Sequence, residues 1–315
     1  MGNLKHKAII GTATKKDRIQ AGAENETKWN ERKKRKDFKI RKKDVGSSAQ
    51  RRDAADRDSS GIRNRKYGGN STPHQLYCTV LGDSIAKGYT CDKSWMENYG
   101  SLAAKEIAYS EGCRYIYHNY ARTGLDTAGL NEKYLSKQDV QTNLAKADVI
   151  FITIGSNDLL NECKRVVQEI LKTDTKFKSA DEALASLKES VKKNPLLVLS
   201  AINALNNWDY NSFEKEWIQM MKTVNSLKKD DAKVIVTTIY NPAGNMKLPS
   251  TLNKIVEGII ENMNAIIEKR AGKYDYEVAD VYQSSVTSHL QKDGVHPDFQ
   301  GQQIIADLVC REYEK

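Results

Sequence analysis

A serine in the tripeptide Gly82-Asp83-Ser84 directly follows an apolar run, Leu76 to Leu81. A small residue ahead of a serine permits a tight strand-to-helix turn. Such a turn presents the hydroxyl and aims free backbone N–H groups at the same point. With Ala at position 86, this is not a G-x-S-x-G elbow. Taken alone, the tripeptide equally describes an ordinary structural turn. A hydroxyl nucleophile also needs a base, and the chain has five histidines. His6 and His74 lie in or beside a polar segment. His118 falls inside an apolar run, where a core or surface role accounts for it, and His289 has no adjacent carboxylate. His296 differs, because Asp293 precedes it by three residues and Gly294 lets the chain turn between them. A carboxylate so placed reaches Nδ1, sets the imidazole tautomer and stabilises the imidazolium. Asp298, after Pro297, reads instead as the N-cap of a final helix.

Two further positions offer hydrogen-bond donors to a developing negative charge. Gly124, in Asn119-Tyr120-Ala121-Arg122-Thr123-Gly124, exposes a backbone N–H with no side chain in the way. Asn157, in Gly155-Ser156-Asn157-Asp158, can turn its amide N–H toward an oxyanion. Each has a plainer reading, a turn glycine in one case and a helix-capping Asn-Asp pair in the other.

The elements expected to position these groups alternate between strand and helix. Strands are expected at Leu76 to Leu81, Tyr115 to Tyr120, Ala147 to Ile154, Lys233 to Ile239 and Tyr276 to Val281. The third is an almost unbroken apolar run, the mark of a strand covered by helices on both faces. Helices are expected at about Ser94 to Tyr109, 251–271 and 299–312, each with an apolar face. Leu159 to Ser226 carries several amphipathic patterns and reads as a helical insertion between strands three and four. The alternation predicts an α/β fold, a doubly wound, mostly parallel five-stranded sheet with flanking helices. In such a sheet the ligand site lies beyond the carboxyl ends of the strands, and Ser84, Gly124 and Asn157 all follow strands.

Charge divides the chain. Residues 1–75 hold 21 basic and 9 acidic side chains, a net of +12, while the remainder nets −3. The formal charge of +9 therefore belongs to the first quarter alone. Residues 1–73 have the polar, charged composition of a disordered extension, and 74–315 form the expected globular domain. The run Arg32-Lys33-Lys34-Arg35-Lys36 offers a weak contact for anionic lipid or nucleic acid, or is simply a solvated tail. The five cysteines are scattered without a C-x-x-C pair, which argues against a disulfide framework and a structural zinc site. No run is long enough to span a bilayer and no secretory signal is visible. A cytoplasmic location is expected, or a secreted or membrane-surface one if the N-terminus is mis-assigned.

The combination says more than its parts. Gly82-Asp83-Ser84, Gly124, Gly155-x-Asn157-Asp158 and Asp293-x-x-His296 occur in this order, and together they resemble the SGNH hydrolases, or GDSL-type esterases and lipases. The resemblance runs from about Tyr77 to the C-terminus. It is greatest to the bacterial lipase/acylhydrolase branch, where strand four also ends in a segment like Tyr240-Asn241-Pro242. The resemblance implies a flavodoxin-like sheet and a serine esterase acting on lipid or short acyl esters, with no cofactor or metal. It implies Ser84 as nucleophile, His296 as base and Asp293 as its orienting carboxylate. The oxyanion hole would be Ser84 N–H, Gly124 N–H and the Asn157 side chain. A carbohydrate O-acetylesterase is the alternative within the same chemistry, and a non-catalytic binding module the alternative outside it. Leu196-Leu197-Val198-Leu199 and Trp208 favour an apolar acyl group, or else pack the core.

Overall fold

A computed structural model describes residues 74–241 and 250–315, which fall in one compact unit, Pro73–Lys315. The expected basic extension, residues 1–73, and Pro242 of the Tyr-Asn-Pro segment lie outside the described residues.

Five parallel strands, β1 (Gln75–Gly82), β2 (Arg114–Asn119), β3 (Val149–Thr153), β4 (Lys233–Thr237) and β5 (Glu277–Ala279), form one sheet in the order β2-β1-β3-β4-β5. This is the expected doubly wound, flavodoxin-like arrangement, with its switch point between β1 and β3. Why β3 is central follows from its sequence. Val149 and Phe151 point to one face and Ile150 and Ile152 to the other, and every residue of the strand is buried. Each such side chain removed from water is worth about 1.5–3 kcal/mol before entropy is counted.

One face is covered by the short α1 (Ser84–Lys87), by α2 (Tyr99–Glu111) and by the C-terminal α10 (Phe299–Tyr313), packed on Cys78, Val80, Phe151 and Ile235. The other carries α3 (Thr127–Lys133), α4 (Gln138–Lys146), α5 (Ser156–Leu171), α8 (Tyr210–Leu227) and α9 (Ser250–Arg270), packed on Leu81, Ile150, Ile152 and Val236. The expected insertion is four helices, α5, α6 (Ala180–Lys193), α7 (Leu197–Asn206) and α8, between β3 and β4. Within this layer Trp217 is fully buried and donates its Nε1–H to the Tyr276 hydroxyl at 3.1 Å.

Two expectations need correction. The helix expected from Ser94 begins at Tyr99, because Asn98 takes the N-cap and accepts the Ser101 N–H at 3.1 Å. The Leu196–Leu199 run and Trp208, read as favouring an apolar acyl group or else packing the core, divide, with Leu197 packed against the core and Trp208 within it. Leu196 and Leu199 are 70% and 65% exposed, whereas Trp208 is 7% exposed and belongs to the core.

Candidate active site

Ser84 is placed by a turn that only glycine permits. Gly82 ends β1 with φ +147, and a Cβ there would sit 2.1 Å from the Thr153 carbonyl oxygen on β3. Asp83 donates its N–H to that same oxygen at 3.1 Å and caps α1 by accepting the Ile85 N–H at 2.8 Å. Ser84 is then the first residue of α1, where its N–H has no intrahelical acceptor. From β2, Asn119 braces the turn by donating to the Ala86 carbonyl at 2.9 Å.

His296 arrives from the loop before α10. One Asp293 oxygen accepts the N–H groups of Val295 and His296, each at 3.0 Å, and the other lies 2.7 Å from His296 Nδ1. Gly294, with φ +70, allows this tight return. Nε2, on the far side of the ring, is 2.9 Å from Ser84 Oγ. The structure thus brings Ser84, His296 and Asp293 into one hydrogen-bonded chain. Partial burial works against ionisation of Asp293, but the His296 and Val295 N–H groups and the imidazole outweigh it and hold the carboxyl below its usual value. A carboxylate bonded to Nδ1–H leaves the Nε2 lone pair facing the hydroxyl, the arrangement a general base requires.

The two donor candidates are gathered beside the same turn, where Arg122 donates its N–H to the Gly82 carbonyl at 2.9 Å. Gly124 has φ +77 in a turn closed by Leu125 N–H to the Arg122 carbonyl, 3.2 Å, and its own N–H takes no part in that closure. Asn157 lies in the first turn of α5 and donates from Nδ2 to the Leu125 carbonyl at 3.0 Å; its second direction faces Asp83 Oδ2 at 3.5 Å. The reading of Asp158 as a cap needs modification. It does not cap its own helix but accepts both the N–H and the hydroxyl of Thr127, each at 3.0 Å, at the start of α3. That contact holds the Gly124 turn against the Asn157 helix. Asp83 and Asp158 are both pushed up to about 7, chiefly by burial.

The other histidines among the described residues stand apart from Ser84. His118 is half-buried and stacks on Tyr120, and His289 meets Asp298 only through a backbone hydrogen bond. Asp298 caps α10, accepting the Gly301 N–H at 2.8 Å.

Three residues to which the sequence assigned no role also shape the site. The Tyr89 ring lies 4.5 Å from that of His296, the Tyr240 hydroxyl donates to the Val295 carbonyl at 2.5 Å, and Gln291 spans the two loops between which His296 sits. Of these only Tyr240 had a signal, as part of Tyr240-Asn241-Pro242. An open cavity of about 430 Å³ lies beside Asp158, with Asp126, Asn161, Glu216, Trp208 and Phe213 among its walls.

A parallel doubly wound sheet with a serine, histidine and aspartate joined at its carboxyl edge defines a hydrolase of the SGNH kind. The chain belongs to the GDSL-like lipase/acylhydrolase family, whose model matches residues 79–309. It is 23% identical over 253 residues to the protein YpmR of Bacillus subtilis (strain 168), covering 78% of this chain and 84% of that one. Its fold is similar to that of the lipase Lip_vut3 from a goat rumen metagenome. There the TM-score is 0.53 at 19% identity, over 75% of this chain and 97% of that one. No helix among the described residues is long and apolar enough to cross a membrane.

Proposed function

We propose that the protein is a serine esterase that hydrolyses carboxylic esters, of lipid or short acyl type, through Ser84, His296 and Asp293. The observation that carries this reading is the unbroken chain from Ser84 Oγ to His296 Nε2, 2.9 Å, and from Nδ1 to Asp293, 2.7 Å. In the first half-reaction Ser84 Oγ attacks the acyl carbonyl carbon and its proton passes to Nε2. The carbonyl oxygen becomes an oxyanion facing Ser84 N–H, Gly124 N–H and the Asn157 side-chain amide, which turns to it from its long 3.5 Å contact with Asp83 Oδ2. Collapse breaks the carbon–oxygen bond of the ester, and the alcohol leaves with the proton held on His296. Water then attacks the acyl-serine with His296 again as base, releasing the carboxylic acid and restoring the Ser84 hydroxyl.

A second reading, a carbohydrate O-acetylesterase, draws support from the cavity beside Asp158. The carboxylates of Asp126, Asp158 and Glu216 and the Asn161 amide on its walls are groups that bind hydroxyl-rich alcohols. The basic extension is proposed to make weak contact with anionic lipid or nucleic acid.

A fluorophosphonate probe tests the chemistry. The wild type should be labelled at Ser84, and Ser84→Ala should not be labelled at all. Probe-resistant wild-type protein that is folded would sink the esterase reading. A panel of esters from acetyl to long-chain acyl, on simple and on sugar alcohols, then separates the two substrate classes.

A further inference from the structure

Three side chains of metal-ligating type, from two stretches of the chain, meet at the opposite edge of the sheet from Ser84. His74 precedes β1, Glu111 ends α2, and Cys113 lies just before β2. The parallel register explains the meeting. Gln75 pairs with Arg114, so the residues one step earlier, His74 and Cys113, also come side by side. Gly112 closes α2 in the left-handed conformation and turns the chain directly from Glu111 to Cys113.

A ring nitrogen of His74, a carboxylate oxygen of Glu111 and Sγ of Cys113 all lie within 4.8 Å of one another. Around a tetrahedral zinc ion, with nitrogen and oxygen at about 2.0 Å and sulfur at about 2.3 Å, neighbouring ligand atoms sit ~3.3–3.5 Å apart. Rotamer adjustments of about an ångström close that gap, and His74 and Glu111 are both exposed. Glu111 is already half-arranged. Its Oε1 accepts the Tyr313 hydroxyl at 2.5 Å, while Oε2 faces Cys113 Sγ at 3.9 Å. Such an outer hydrogen bond orients a ligating carboxylate. The ligand types also choose the ion, since imidazole and thiolate favour zinc-class metals over calcium or magnesium.

We propose that His74, Glu111 and Cys113 form a surface site for one divalent transition-metal ion of the zinc class, with water completing its coordination. The expectation of no zinc site rested on the lack of a C-x-x-C pair. This ligand set needs none, because strand register supplies the proximity. The site is separated from Ser84 by the length of β1, roughly 25 Å at 3.3 Å per residue, so it takes no part in the ester chemistry. Its effect is to fasten the chain immediately after residues 1–73 to β2 and α2.

The full-length protein, stripped of metal, can be titrated with Co²⁺. All five cysteines lie at or beyond position 78, so thiolate-to-cobalt absorption reports on the globular domain and not on the basic extension. One equivalent of Co²⁺ should produce that absorption. Cys113→Ser should abolish it and Cys91→Ser should leave it intact. Tyr313→Phe should weaken Co²⁺ binding roughly 10-fold or more by freeing Glu111. The absence of a sulfur-to-cobalt band in the wild type, or its survival in Cys113→Ser, would overturn the proposal. Should Cys113→Ser not fold, His74→Ala at an exposed position decides the matter, because unchanged Co²⁺ affinity there overturns it equally.

Discussion

The side-chain amide of Gln291 donates to the Tyr89 carbonyl at 2.7 Å and so fastens the loop after the Ser84 turn to the loop that carries His296. The same amide nitrogen also donates to the Pro297 carbonyl at 2.8 Å, and Oε1 accepts the Cys91 N–H at 2.9 Å. The Gln291 main-chain N–H reaches the His296 carbonyl at 2.7 Å, while Tyr89 donates its own N–H to the Ser84 carbonyl at 3.0 Å. One side chain therefore links both ends of the Ser84–His296 contact. Gln291→Ala should lower kcat by about 10–10²-fold through misalignment while changing KM little. Gln291→Glu should not restore it, since a carboxylate cannot donate to two carbonyls. Steady-state kinetics on folded variants checks this, and a wild-type kcat in Gln291→Ala would mean that the clamp does not position His296.

Variants of the proposed machinery should rank in a set order. His296→Ala should lose kcat on the order of 10⁴-fold or more, as Ser84→Ala does, and the double variant should be hardly worse than either. Asn157→Ala should lose roughly 10²–10³-fold, mainly in kcat, since the two backbone donors remain and the charge develops only in the transition state. Asp293→Ala should fall short of His296→Ala, because the imidazole survives without its orienting partner. His118→Ala and His289→Ala should keep near-normal kcat. An indispensable His289 beside a dispensable His296 would reassign the base.

Stability should depend on pH through two buried carboxyls. Burial first, then the neighbouring acid in each case, pushes Asp83 and Asp158 up to about 7, against the N–H groups of Ile85 and Thr127 that favour the ionised forms. An unfolded aspartate titrates near 3.9, so between these values the folded chain binds more protons than the unfolded one. Their contribution is therefore complete below about pH 4 and is lost as pH rises through about 7. Asp293 has the opposite sign, contributing above the unfolded value and losing that contribution as pH falls through its depressed one. The urea midpoint should accordingly fall from about pH 5 to about pH 8, and fall less in Asp158→Asn. An equal slope in that variant would remove Asp158 as a source.

The β1–α1 turn should tolerate no side chain at Gly82. Gly82→Ala combines a disfavoured φ of +147 with a 2.1 Å approach to the Thr153 carbonyl. The strain alone is about 1–3 kcal/mol, and the clash adds to it by prising β1 from β3. Thermal unfolding should show a large drop in midpoint, together with loss of probe labelling at Ser84. A stable, fully labelled Gly82→Ala protein would contradict the turn geometry.

The sheet was legible in the sequence because buried parallel strands must be apolar on both faces, and runs such as Val149–Thr153 and Lys233–Thr237 announce this without reference to any partner. Ser84, Gly124, Asn157 and the Asp293/His296 pair were legible as candidates for a related reason. A doubly wound sheet exposes its strand exits, and a nearby glycine or a three-residue spacing is a local property. Helix starts were less legible. Ser94 and Asn98 both have cap-forming side chains, and only the packed structure selects Asn98. What tertiary structure alone decided is every contact made across long loops. Gln291 on Tyr89, Asp158 on Thr127, the Tyr89 ring beside His296 and the approach of His74 to Cys113 join residues 31 to 207 positions apart. Glutamine, tyrosine and aspartate have no periodicity that marks such partners in advance. Their roles arise only when the register of one strand against another sets which distant segments lie within hydrogen-bonding reach.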